Sequence, residues 1–143
     1  MILGIVGHEA AKFTAETERQ ARVQIREFLM LDSVSTVVSG ACHLGGIDVW
    51  AIEEAKRLWI PTREFPPANR SWDSGYKARN ILIAEAADKV ISIVVKVLPA
   101  GYTGMRFKLC YHCKTDSHVK SGGCWTAHYA KRLGKPFEII EIA

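Results

Sequence analysis

The chain has 143 residues, enough for one domain with a closed core and short for two. Hydrophobic residues make up 48% and charged residues 24%, ordinary globular proportions that exclude a disordered, collagen-like or coiled-coil chain. Nineteen Lys and Arg against 15 Asp and Glu leave a formal charge of +4. The basic residues are scattered rather than run together, so nucleic-acid binding is not expected.

Residues 2–6 form a short apolar run ending at Gly7. Such a run fits a strand buried on both faces, and it is too short for a signal peptide or a membrane span. The expectation is a cytoplasmic protein. Thr14 is suited to cap a helix, Glu16 and Glu18 to occupy its first turn, and Ala21, Ile25, Phe28 and Leu29 to share its inner face. Residues 33–38 are β-branched and predict a second strand, ending at Ser39 and Gly40, with a helix from Gly46 that turns Ile47, Ala51, Ala55 and Leu58 inward. Residues 59–65 predict a third strand, followed by a Pro-rich aromatic loop over 66–76. A helix over 77–87, with Ala78, Ile81, Leu82 and Ala86 on one side, leads into a fourth strand over 89–95. A helix over 125–133 is closed by Gly134 and Pro136, and residues 137–142 make a fifth strand.

The alternation predicts a single α/β domain over 1–143, a three-layer Rossmann-like parallel sheet of order 3-2-1-4-5 interrupted only by an insertion at about 97–123. Ligands of such sheets bind outside the carboxyl ends of the strands, where the order reverses. Gly7 and His8, the turn from Ser39 to Gly46, and the segment after strand four all arrive there.

Two glycine-rich turns open helices at that edge. The first carries Ser39, Gly40, Gly45, Gly46 and Asp48; the second carries Ser121, Gly122, Gly123 and Thr126. Free N–H groups and the helix dipole favour an anion at such starts, so the expected ligand is a nucleotide or another phosphorylated small molecule. Plain tight turns with glycine packing are the alternative. Arg79, followed by Asn80, sits at a helix start where a cation is unfavourable unless an anion compensates it. His8 and His43 are weaker candidates for ligand contact, and Trp72 is placed to stack on a base. Cys42 has no well-placed partner base for a nucleophile.

The motif order resembles the SLOG superfamily, the Rossmann-like group that includes the LOG phosphoribohydrolases and the DNA-processing protein DprA. The resemblance runs through Gly7, the turn from Ser39 to Asp48, Arg79 and Asn80, the turn from Ser121 to Thr126, and Gly134 to Pro136. It implies nucleotide binding by a small stand-alone member. LOG enzymes carry a catalytic Glu after the second turn; Tyr129 stands at that place here, so LOG-type hydrolysis is not expected. An N-glycosidic hydrolase or transferase using Glu9, Asp48 or Asp73 is one alternative, and a nucleic-acid-associated module is another.

The insertion holds Cys110, Cys113, His118 and then Cys124, a Cys-x2-Cys-x4-His-x5-Cys spacing suited to a tetrahedral structural zinc. His112 is an alternative to His118. Four Cys in all, with Cys42, fit thiol or metal chemistry before disulfides. Apolar helix faces and four Trp lead us to expect a homodimer.

Overall fold

A computed structural model describes residues 1–31 and 33–143. Five strands, β1 (Ile2–Gly7), β2 (Thr36–Ser39), β3 (Thr62–Glu64), β4 (Lys89–Val95) and β5 (Phe137–Ile142), form one sheet in the order β3-β2-β1-β4-β5. Every neighbouring pair is parallel, with Gly4 beside Val38 and Val90, and Ile91 beside Glu138. Among the described residues four α-helices, α1 (Ala15–Leu29), α2 (Ile47–Arg57), α3 (Lys77–Ala86) and α4 (Gly122–Arg132), alternate with them. The sheet order is the one that the strand–helix alternation predicts.

The pleat explains why the strands are apolar on both sides. Leu3, Ile5, Val37, Ile91 and Ile93 pack with Ala21 and Ile25 of α1 and Ala51 and Ala55 of α2. Their chain neighbours Val6, Val38 and Val90 point the other way, onto Ile83 and Ala84 of α3 and Ala127 and Ala130 of α4. Two cores therefore lie on opposite faces of one sheet, giving three layers.

Thr14 caps α1 as its sequence predicts, in a reciprocal capping box with Thr17. Other boundaries shift. The third strand is shorter than expected: Trp59 is 92% exposed with φ at +57°, a turn residue rather than a strand one. Strand β2 begins at Thr36, and α4 begins at Gly122 rather than at residue 125. The inner face of α3 is also different. It buries Arg79, Asn80, Ile83 and Ala84 and leaves Leu82 49% exposed, because two polar residues turn inward and break the apolar period. Leu58, expected inside, ends α2 and is exposed.

Among the described residues no helix is long and apolar enough to cross a membrane.

Candidate functional site

A cavity of about 340 Å³, within the roughly 300–1,000 Å³ usual for small-molecule sites, opens at the carboxyl end of β1. Gly7, His8, Glu9 and Lys12 reach it from the exit of β1, and Cys42, Leu44 and Asp48 from the turn after β2. Trp72, Tyr76, Arg79 and Asn80 come from α3 and the π-helical turn Trp72–Tyr76 before it. Phe107, Lys120, Ser121, Gly122 and Gly123 close the far side.

The second glycine turn sits where the sequence places it. Ser121 caps α4, accepting a hydrogen bond from the Gly123 N–H at 3.0 Å. A side chain on Gly123 would press to 2.7 Å from the Gly7 nitrogen, so only glycine lets α4 start against the end of β1. Thr126 is buried behind this turn, its hydroxyl donating to the Gly122 carbonyl at 3.0 Å, and does not line the cavity.

The first glycine turn is oriented differently from the expectation. Gly45 and Gly46 are not among the cavity's lining residues. The Gly45 N–H donates to the Cys42 carbonyl at 3.0 Å, and the Ile47 N–H donates to the His8 carbonyl at 3.1 Å. Gly46, at φ +89°, is pressed on the chain leaving β1, where a Cβ would come within 2.4 Å of the His8 oxygen. The turn is a packing joint, and it presents Cys42, Leu44 and Asp48 rather than its glycines. Ser39 is likewise fully buried, donating to the Ile5 carbonyl at 2.5 Å, and Gly40 packs against Asp48 and Arg79. His43 is exposed and does not join His8 at the cavity.

Both ring nitrogens of His8 are engaged. Nδ1 accepts from the Val95 N–H at 3.1 Å, so Nε2 carries the proton and donates to the Val119 and Lys120 carbonyls at 3.1 and 3.2 Å. Burial, reinforced by Lys12, lowers its pKa to about 4. His8 is therefore a neutral strut between β4 and the insertion as well as a wall of the cavity.

Arg79 is buried, its Nε donating to Asn80 Oδ1 at 2.6 Å and its Nη1 to the Gly40 carbonyl. Nη2 stands 4.0 Å from Asp48 Oδ2. Burial pushes the Asp48 carboxyl up to about 6, against the pull of Arg79 and of the Gly7 N–H. A carboxyl in that range can give or take a proton near neutrality. The Cys42 thiol is pushed up by burial, the opposite of nucleophile activation.

Lys12 pairs with Glu9 at 2.6 Å, whereas Lys120 lies 5.1 Å above the Phe107 ring and has no ion pair among the described residues. Aromatic rings, two lysines, the Arg79–Asp48 pair and a helix start thus face one space. Phe107 and Lys12 carry no motif in the sequence, since both lie in segments without periodic pattern.

The four predicted metal ligands do converge. Sγ of Cys110, Cys113 and Cys124 and a ring nitrogen of His118 all lie within 4.8 Å of one another. Ligands about 2.3 Å from a common tetrahedral centre would stand ~3.7 Å apart, and Cys124 Sγ lies 3.6 Å from His118 Nε2. Cys110 opens a tight turn closed by mutual backbone hydrogen bonds with Thr115, with Lys114 at φ +56°. His118, not His112, supplies the imidazole. Its Nδ1 is 2.8 Å from Glu141 Oε2 on β5, which orients Nε2 toward the thiols.

The protons of the set conflict. Cys110 is held low because it accepts from the Cys124 thiol, and that same contact together with burial pushes Cys124 up. Burial and the charge of Cys110 push Cys113 up to about 11. A metal ion removes the conflict by taking three thiolates and one imidazole, and the group could hold one. Glu141 and His128, whose Nε2 lies 3.4 Å from Cys113 Sγ, stand outside the spacing that marks the four ligands. The one signal for His128 is its place a helical turn after Cys124.

Comparison with protein-family models, with curated proteins and with solved structures found no match.

Proposed function

We propose that this chain binds a nucleotide or another phosphorylated, nucleotide-derived ligand in the cavity at the carboxyl edge of the sheet, as a sensor or processing module. One observation carries the reading: the capped start of α4 at Gly122 and Gly123, the Lys120 cation and the Trp72, Tyr76 and Phe107 rings line the same space. An anion suits the helix start and the lysine, and a base suits the rings. The SLOG resemblance agrees with this. The metal we assign to Cys110, Cys113, His118 and Cys124 is zinc, because three thiolates and one imidazole make a closed, structural set with no position left for a reactive water. A cluster of reduced thiols suits the cytoplasm, where we place the protein.

The test is thermal stabilisation by AMP, ADP and ADP-ribose, combined with elemental analysis and mass spectrometry of whatever copurifies. A shift with the phosphorylated compounds and none with adenosine is expected. No shift across the set removes the reading.

Asp48 favours a second reading, cleavage or transfer at an N-glycosidic bond, because its carboxyl, held at about 6, lines the cavity. Free base released during incubation, and lost in Asp48→Asn, would replace binding with catalysis.

A further inference from the structure

Residues 96–121 join β4 to α4 without a strand or a helix; one isolated bridge, between Cys110 and Thr115, is their regular pairing. Hydrophobic burial holds little of this segment in place: Leu98 packs against the main core at its start, but Val97, Met105, Leu109 and Tyr111 are all exposed, and the buried side chains are Cys110, His118 and the α4 cap Ser121. Cys110 packs in a small cluster with Val94 and Cys124, next to the main cores rather than within them. A loop of this length needs another constraint to order it.

One wall of the cavity is made from this loop. Phe107 and Lys120 line it and pack on each other, the ammonium 5.1 Å from the ring centre. Each is close in the chain to a member of the Cys and His group: Phe107 lies three residues before Cys110, and Lys120 two residues after His118. The third connection is tighter, since Cys124 directly follows Gly123, which lines the cavity from the first turn of α4. Glu141 on β5 fixes His118 to the sheet, and Ser92 on β4 lies 3.5 Å from Cys124 Sγ.

We propose that a metal ion held by Cys110, Cys113, His118 and Cys124 builds one wall of the ligand cavity, setting Phe107 and Lys120 in place, so that phosphorylated ligands bind only the metal-loaded protein. This rests on the cavity being the ligand site. The metal takes no part in chemistry; it replaces the missing hydrophobic anchor of the loop and ties it to the start of α4. Phe107 and Lys120 then act as specificity residues, one for a ring and one for a phosphate.

The experiment compares zinc-loaded protein, chelator-stripped protein and stripped protein refilled with Zn²⁺. Circular dichroism monitors the sheet, trypsin probes Arg106, Lys108, Lys114 and Lys120, and calorimetry follows ADP-ribose. Stripping is expected to retain the sheet, speed cleavage at those four sites about tenfold or more, and weaken ADP-ribose at least tenfold, with Zn²⁺ restoring both. Equal cleavage and equal affinity with and without metal overturn the proposal. A loop protected by Zn²⁺ in a protein that binds neither ADP-ribose nor AMP leaves the metal-built wall standing and removes the nucleotide reading. ADP-ribose affinity unchanged by stripping removes the dependence on metal and leaves the ligand site. If stripping unfolds the sheet, Phe107→Ala and Lys120→Ala decide. Both are expected to keep one zinc per chain while losing about tenfold in ADP-ribose affinity, and full affinity in both overturns the wall.

Discussion

Arg79 Nη2 and Asp48 Oδ2 face each other at 4.0 Å across Gly40, the last residue before the chain turns away from β2. A Cβ on Gly40 would lie 2.4 Å from Asp48 Oδ2 and 2.5 Å from Arg79 Nη1. Both neighbours border the cavity and could swing toward it, but only by breaking the Arg79 hydrogen bonds to Asn80 and the Gly40 carbonyl and the pairing with Asp48. Gly40→Ala is therefore expected to destabilise the protein by about 1–3 kcal/mol through overpacking and to abolish ligand-induced stabilisation. Urea unfolding and a thermal-shift series measure the two effects, and a neutral substitution would mean that the pair is free to move apart.

Asp48 and His8 titrate with opposite consequences in one pH window. Burial raises Asp48 from 3.8 to about 6, so the native state keeps a proton that the unfolded chain has released; its contribution is full below about 4 and is lost as pH climbs to about 6. Burial lowers His8 from 6.5 to about 4, so its contribution is full above about 6.5 and is lost as pH falls toward 4. The two oppose each other in the wild type. Asp48→Asn leaves only the His8 effect, so the variant's stability relative to wild type is expected to rise with pH, by up to about 3 kcal/mol between about pH 4 and 6. Urea midpoints of both proteins across that range check it; a constant difference means Asp48 does not titrate there.

Glu54 anchors α1 to α2. Its side chain is 1% exposed and receives Arg22 and Arg26 at 2.8 Å and Arg57 at 3.1 Å. Glu54→Gln removes the charge that all three share, and an expected loss of about 1–3 kcal/mol follows from the charged hydrogen bonds. Arg57→Ala should cost within about 0.5 kcal/mol, because that side chain is 67% exposed and screened by water. Equal losses in the two variants would contradict the assignment of Glu54 as the hub.

Glu141 is expected to govern metal affinity without touching the metal. It holds His118 Nδ1 at 2.8 Å and also receives the Ser117 hydroxyl. Glu141→Gln should weaken Zn²⁺ about 10–100-fold, the usual effect of losing such an orienting partner, while Glu138→Gln on the same strand leaves it unchanged. Competition with a chromophoric chelator gives both values.

Much of this protein is legible in the amino-acid order alone. Strands buried on both faces read as continuous apolar runs, which is why a parallel sheet follows from β1 and β4, and its 3-2-1-4-5 order is the simplest one for alternating strands and helices. The Cys-x2-Cys-x4-His-x5-Cys group is legible because metal ligands crowd a short segment, whereas the start of α4 is not: the periodic pattern begins at residue 125, and the Ser121 cap lengthens the helix back to Gly122. Only the tertiary structure decided which glycines face the ligand space. Gly46 and Gly123 look alike in a sequence, yet one is spent against the His8 backbone and the other lines the cavity, since close packing between distant segments leaves no local pattern. The same holds for the inner face of α3, where burial of Arg79 and Asn80 toward β2 overrode the apolar period. It holds as well for Phe107, His128 and Glu141, each brought to its partner by chain folding rather than by spacing.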